Sequence, residues 1–291
     1  MQAKKMFLVL MSFVFAVNIL AEEPKSYETD EAIRKWRNNY FGVKPHKPNY
    51  VLPFGISDEQ YKSYVLSDNY TDTEAQLQVS LKLQIVEDLF GWDEEYYLAY
   101  THTAFWQVYT ESSPFRETNY NPEGFVSIPM NVESFSAFRN WRLGIAHISN
   151  GQGDNRNVVY PAGYQNPGHR SRSINYVYTS LLFETGNLFS ELTLWIPNRH
   201  NGDLMDNTDI MDYYGYSSLK LSYFYKKHMF TWMGRLNADT GHGAMEATYS
   251  YPFDIYDDVY FYVKAFSGYG ESLIDYNNNL SKFSIGFSFS R

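Results

Sequence analysis

The sequence predicts an all-β fold, a twelve-stranded antiparallel transmembrane β-barrel of the bacterial outer membrane. Three observations carry that reading. About twelve segments alternate apolar and polar residues with a period of two, the pattern of a strand that meets unlike surroundings on its two faces. Beyond the first 21 residues no apolar run is long enough for a spanning helix, and the mean hydropathy is −0.44. Aromatic residues make up 19% of the chain, with 27 Tyr and 21 Phe, which suits a barrel ringed by aromatics at both membrane interfaces.

Residues 1–21 read as a secretory signal peptide. Lys4 and Lys5 form a positive start, residues 6–20 are apolar, and the small Ala21 precedes Glu22 and Glu23. A membrane anchor is the competing reading, but the apolar core falls short of the roughly 20 residues a spanning helix needs. Residues 22–47 show no alternation; residues 31–37 suit a short helix, and Pro45 and Pro48 interrupt the chain after it. This stretch reads as an N-terminal periplasmic arm, and residues 48–291 as one barrel domain.

The expected strands cover residues 48–56, 75–87, 95–109, 123–133, 138–149, 173–184, 187–197, 215–225, 228–237, 243–252, 258–268 and 282–290. In the second, Ala75, Leu77, Val79, Leu81, Leu83 and Ile85 alternate with Gln76, Gln78, Ser80, Lys82 and Gln84. A soluble sandwich strand reads the same way, but this length also matches a tilted membrane strand. Leu219, Leu221, Tyr223 and Tyr225 repeat the theme, as do Phe283, Ile285, Phe287 and Phe289. Connections alternate between short turns, such as Thr185-Gly186-Asn187, and long loops. Short turns belong to the periplasmic rim and long loops to the cell surface. Tyr176, Tyr178, Tyr260 and Tyr262 fall on the inward face and suggest a filled lumen.

Composition narrows function. The chain has no cysteine, so no disulfide holds it, and its formal charge of −9 argues against nucleic acid. No phosphate-binding glycine loop or zinc spacing occurs. His242 between two glycines, His169-Arg170, and the acidic trio Asp254, Asp257 and Asp258 read as solvated loop residues.

One strand breaks the apolar rule. Trp141, Leu143 and Ile145 share a face, and His147 and Ser149 continue it. An imidazole beside a hydroxyl is the pairing a general base needs to activate a nucleophile. The plain alternative is a polar rim where His and Ser face headgroups. Asn175, on the face of Val177, Leu181 and Phe183 in the next strand, adds a third polar group that can fix the tautomer of the base. The loops near Ser112, over residues 152–171 and near Asp206 emerge at the same rim. On the lipid side of a barrel, such a group lies where phospholipid lies.

The segment His147-Ile148-Ser149-Asn150-Gly151, followed by Ser171-Arg172-Ser173-Ile174-Asn175, resembles the active-site signature of the outer-membrane phospholipase A family. Ser112-Ser113-Pro114-Phe115-Arg116-Glu117-Thr118-Asn119-Tyr120 and Ser267-Gly268-Tyr269-Gly270-Glu271-Ser272-Leu273-Ile274-Asp275-Tyr276-Asn277 resemble it too, although as structure alone both pass for surface loops. The resemblance runs from about residue 75 to the end. It implies a calcium-dependent phospholipase, active as a homodimer, that hydrolyses the sn-1 and sn-2 acyl esters of outer-leaflet phospholipids. It further implies Ser149 as nucleophile, His147 as base, Asn175 as orienting group and Gly151 as oxyanion donor. Ca²⁺ ligands are implied at Ser112 of the second subunit, Gln152 and Ser171, with Asp206 at a neighbouring calcium position. Gln152 stands where the family has arginine, and His102 where it has a glutamine supporting the asparagine. His102 therefore reads either as triad support or as an interfacial histidine. The rival functions are a lipid A deacylase and a non-enzymatic porin or structural barrel.

Overall fold

The computed structural model describes residues 27–37, 43–61, 69–130, 136–153, 170–198, 207–253 and 258–291. The expected signal peptide and Asp206 lie outside them, as do His169, Asp254 and Asp257. Helix α1 (Tyr27–Arg37) and the short strand β1 (Val43–Pro45) precede β2 (Asn49–Ser57), β3 (Thr73–Glu87), β4 (Glu95–Trp106), β5 (Phe115–Pro129), β6 (Phe138–Ser149), β7 (Ser173–Thr185) and β8 (Leu188–Pro197). A single-turn helix, α2 (Ile210–Tyr214), leads to β9 (Ser217–Tyr225), β10 (His228–Leu236), β11 (Gly243–Pro252), β12 (Tyr260–Tyr269) and β13 (Asn279–Ser290). Each strand from β2 to β13 pairs antiparallel with its sequence neighbours, and β13 returns to β2, so twelve strands close a barrel without an edge. No described helix is long and apolar enough to cross a membrane.

The outer and inner faces separate as the alternation predicts. Val79, Leu81, Leu83 and Ile85 of β3 and Trp141, Leu143 and Ile145 of β6 are exposed on the outside, whereas Gln76, Ser80, Gly144 and Ala146 are buried inside. Tyr178, Tyr260 and Tyr262 are buried in the lumen, and Tyr176 packs beside Tyr178. The interior is filled by side chains.

Two segments depart from the expected layout. Strand β5 begins at Phe115, well before the expected residue 123, because Arg116, Glu117, Asn119 and Asn121 are lumen-facing strand residues rather than loop polars. The β12–β13 connection folds back into the lumen instead of standing on the surface. Leu273, Ile274, Asp275 and Tyr276 are buried there, and the backbone N–H groups of Leu273 and Ile274 donate to Asn119 Oδ1 (3.3 Å) and Glu117 Oε1 (3.1 Å). These bonds satisfy its backbone inside the barrel, the condition for burying a loop at all.

The N-terminal stretch also serves the lumen. Glu28 and Asp30 suit the positive end of α1, whose Ile33 is buried among Phe189, Phe224 and Met229. After β1, Lys47 Nζ reaches Asn121 Oδ1 (2.7 Å) and Glu123 Oε1 (2.5 Å), and His46 Nε2 lies 3.2 Å from the same carboxylate.

The register makes a direct prediction. Ile145→Arg, at 65% exposure on the outer face, should cost roughly 2–4 kcal/mol near the membrane midplane, read as a lowered urea midpoint of the refolded barrel. Single cysteines at Leu143, Ile145, His147 and Ser149 should label with a lipid-dissolved thiol reagent, and one at Ala146 should not. Gly144 is left out of that scan because a Cβ there would come within 2.6 Å of the Tyr178 ring. Labelling of Ala146 with sparing of Ile145 would mean the faces are inverted.

Candidate active site

Strands β6 and β7 bring the key side chains together by register. His147 stands directly opposite Asn175, and Ser149 opposite Ser173. His147 Nδ1 lies 2.6 Å from Asn175 Oδ1, short enough for a strong hydrogen bond. An amide oxygen can only accept, so the imidazole donates from Nδ1 and keeps a lone pair on Nε2. Ser149 lies two residues further along β6 on the same outward face. All three groups are partly exposed and stand above the apolar Leu143, Ile145 and Val177.

Just beyond Ser149 the chain is tightly organised around Asn150, which sequence reasoning did not single out. Its side chain is buried, and Oδ1 accepts from the backbone N–H groups of Gln152 (3.2 Å) and Arg172 (3.0 Å). Its amide donates to the Arg170 carbonyl (2.8 Å), and its own backbone N–H to the Arg172 carbonyl (3.0 Å). One asparagine therefore ties Gln152 to Arg170 and Arg172, the residues on either side of Ser171, across the ends of a long loop. The available signal was the Asn-Gly step, since asparagine habitually bonds the backbone two residues on. Asn207 does the same for the start of β7, bonding both the N–H (3.0 Å) and the carbonyl (3.1 Å) of Ser173.

Gly151 has φ +62°, and a Cβ on it would meet the Tyr120 ring at 2.9 Å. Glycine is thus required by both conformation and space. Ser112 lies exposed on the β4–β5 loop with φ +61°. Across the lumen side of the same rim, burial and the hydrogen-bonded Asp209 carboxylate raise the Tyr276 phenol above its ordinary range.

His102 is not brought to Asn175. Its ring lies against Tyr120 (centroids 5.2 Å, edge to face), with Nδ1 3.3 Å from Tyr100 Oη. His102 sits on β4 and Asn175 on β7, three strand spacings apart, or roughly 14 Å. The two residues share the outward face, but side chains on one face touch only across adjacent strands.

A family model described as phospholipase A1 matches residues 26–289. The chain belongs to the phospholipase A1 family. It is 34% identical over 255 residues to phospholipase A1 of Salmonella typhimurium, covering 86% of this chain and 82% of that one. Phospholipase A1 of Escherichia coli strain K12 is likewise 34% identical over the same coverage. Among solved structures, outer membrane phospholipase A from Escherichia coli superposes with a TM-score of 0.75 at 32% identity, over 86% of this chain and 99% of that one. A Salmonella typhi outer membrane phospholipase, described as a dimer with bound calcium, gives the same TM-score over 87% and 94%. This chain is therefore an outer-membrane β-barrel phospholipase. Its closed, filled barrel is the scaffold on which the outward-facing groups are held.

Proposed function

We propose that this phospholipase hydrolyses the sn-1 and sn-2 acyl esters of outer-leaflet phospholipids through Ser149, His147 and Asn175. The observation that carries the reading is the 2.6 Å contact between His147 Nδ1 and Asn175 Oδ1 on the outer face. It leaves Nε2 basic and free to take the Ser149 proton as Oγ attacks the ester carbonyl. The oxygen that becomes negative accepts from the Gly151 N–H. Collapse expels the alcohol, which takes the proton back from Nε2. Water then repeats the sequence and releases the fatty acid. A neutral asparagine suits this place, because an unpaired carboxylate facing hydrocarbon would be costly.

The donor set near the nucleophile fits Ca²⁺. Asn150 ties the backbone of Gln152, Arg170 and Arg172 together beside the nucleophile. The Gln152 carbonyl and the hydroxyl of the intervening Ser171 would be the ligands, neutral oxygens of the kind this ion accepts. Among the described residues no cluster of three acidic or histidine side chains offers an alternative cage. Ser112 of a second copy would complete the set, with Asp206 at a neighbouring position, and the dimer with bound calcium among the similar structures supports that assignment. When bound, the ion would add positive charge beside the developing oxyanion, in most acyl transfers the largest stabilising contribution.

The test is a lipid-product assay of purified protein in detergent across a Ca²⁺ titration, run in parallel with crosslinking. Turnover and crosslinked dimer should rise together, since metal that binds only the dimer favours it by mass action. Full activity of an EGTA-treated monomer would rule the coupling out. Release of only one of the two acyl chains would limit the reaction to that position.

A further inference from the structure

We propose that the β3–β4 turn, residues 88–94, is an interfacial anchor seated in the periplasmic leaflet, on headgroups that carry an ammonium group. Two turns at this rim, Gly186-Asn187 and Lys226-Lys227, use two residues, whereas the connections 88–94, 130–137 and 253–259 are longer. The turn 88–94 displays Leu89, Phe90 and Trp92, which are 59%, 68% and 63% exposed. The Phe90 and Trp92 rings lie 5.9 Å apart and form one patch.

The patch is held rigidly. Glu94 is buried beneath it, and its carboxylate accepts the backbone N–H groups of Phe90 (2.8 Å) and Trp92 (3.1 Å). The Asp88 N–H donates to the Glu94 carbonyl (2.7 Å), and the Asp93 N–H to Asp88 Oδ1 (3.3 Å). The Glu94 carboxylate is satisfied by these bonds, whereas three apolar side chains fixed outward are costly in water and suit an apolar surface.

Position identifies what they meet. On β3 the lipid-facing stripe Val79, Leu81, Leu83 and Ile85 runs straight into the turn, and Leu98 and Tyr100 of β4 continue it on the other side. With a strand rise of about 3.3 Å per residue and a tilted barrel, the turn falls in the headgroup layer next to the apolar band. Elsewhere at this rim exposed aromatics stand on the strands, as with Tyr225, Phe230 and Phe289, or directly after one, as with Phe253. On β3 the corresponding outward position is Glu87, so here the turn supplies the rings. Tryptophan and phenylalanine favour that layer.

Charge narrows the lipid class. Glu87, Asp88 and Asp93 are exposed around the patch, and residues 87–94 contain no Lys or Arg. Anionic headgroups would repel this rim, whereas the ammonium of phosphatidylethanolamine can pair with it.

The chain has no cysteine, so single-site probes are clean. Trp92→Cys and, separately, Phe90→Cys would carry a polarity-sensitive fluorophore in phosphatidylethanolamine–phosphatidylcholine vesicles, with Asp239→Cys on the opposite rim as the water-exposed reference. Heat-modifiable gel mobility reports folding of each variant. Both turn labels should emit to the blue of the reference, resist iodide, and be quenched by a nitroxide at the lipid headgroup. Partial replacement by phosphatidylglycerol should shift both toward the red. Emission and iodide quenching equal to the reference would overturn the anchor and leave the patch as a surface for a periplasmic protein. Equal seating in both vesicle types would overturn the headgroup preference.

Discussion

Ser149→Ala should lower phospholipid hydrolysis by roughly four to six orders of magnitude while the barrel stays folded, because nucleophile and base act as one unit. His147→Ala should cause a loss of the same size, and the double variant should be no worse than either alone. The folded state is insulated from both changes. The two side chains face outward, partly exposed, and the lumen packing lies on the other side of the sheet. Asn175→Ala should be about a hundredfold less damaging, since it removes the group that orients the base and leaves the nucleophile and base in place. Product analysis by chromatography gives the rates, and heat-modifiable gel mobility gives the folded fraction. Near-full activity in a folded Ser149→Ala barrel would sink the assignment.

Strand positions were legible because each strand lies between two unlike environments, and a period of two records that contrast residue by residue. Strands β6, β7 and β11 begin or end where the alternation does. What alternation cannot encode is which residues share a row across strands, since that depends on stagger and closure. His102 illustrates the limit: its face was legible, but its neighbours proved to be Tyr100 and Tyr120. The pairing of His147 with Asn175 crosses a long loop. Strand order and a shared face set Asn175 beside the pair, the family resemblance singled it out as the orienting group, and the register puts it directly opposite His147. The first half of β5 and the 270–278 connection failed for a related reason. Their charges are balanced by partners far along the chain, such as Glu74 for Arg116 and for Lys282, and locally they look like loop residues.

That distant balance is where a single change should be most destabilising. The Arg116 side chain is fully buried in the lumen, where Nε and Nη2 donate to the two Glu74 oxygens at 2.8 and 3.0 Å. Nη1 pairs with Asp275, and the guanidinium lies 4.0 Å over the Tyr61 ring. Lys282 Nζ, also buried, is 2.7 Å from Glu74 and 3.1 Å from Glu271. Arg116 thus ties β3 and β5 to the connection that fills the lumen. Arg116→Met keeps much of the volume but leaves the Glu74 and Asp275 carboxylates facing too little positive charge, which should cost about 3–5 kcal/mol. Arg116→Lys should recover only part of this, because an ammonium cannot span Glu74 and Asp275 as the planar guanidinium does. Urea unfolding in detergent micelles, followed by far-ultraviolet circular dichroism, measures both. Activity per folded barrel should change far less than stability, since the cluster faces the lumen and the reaction centre faces lipid. An unfolding midpoint unchanged in Arg116→Met would mean that water or rearranged side chains satisfy those carboxylates, and that the lumen network positions the loop without stabilising it.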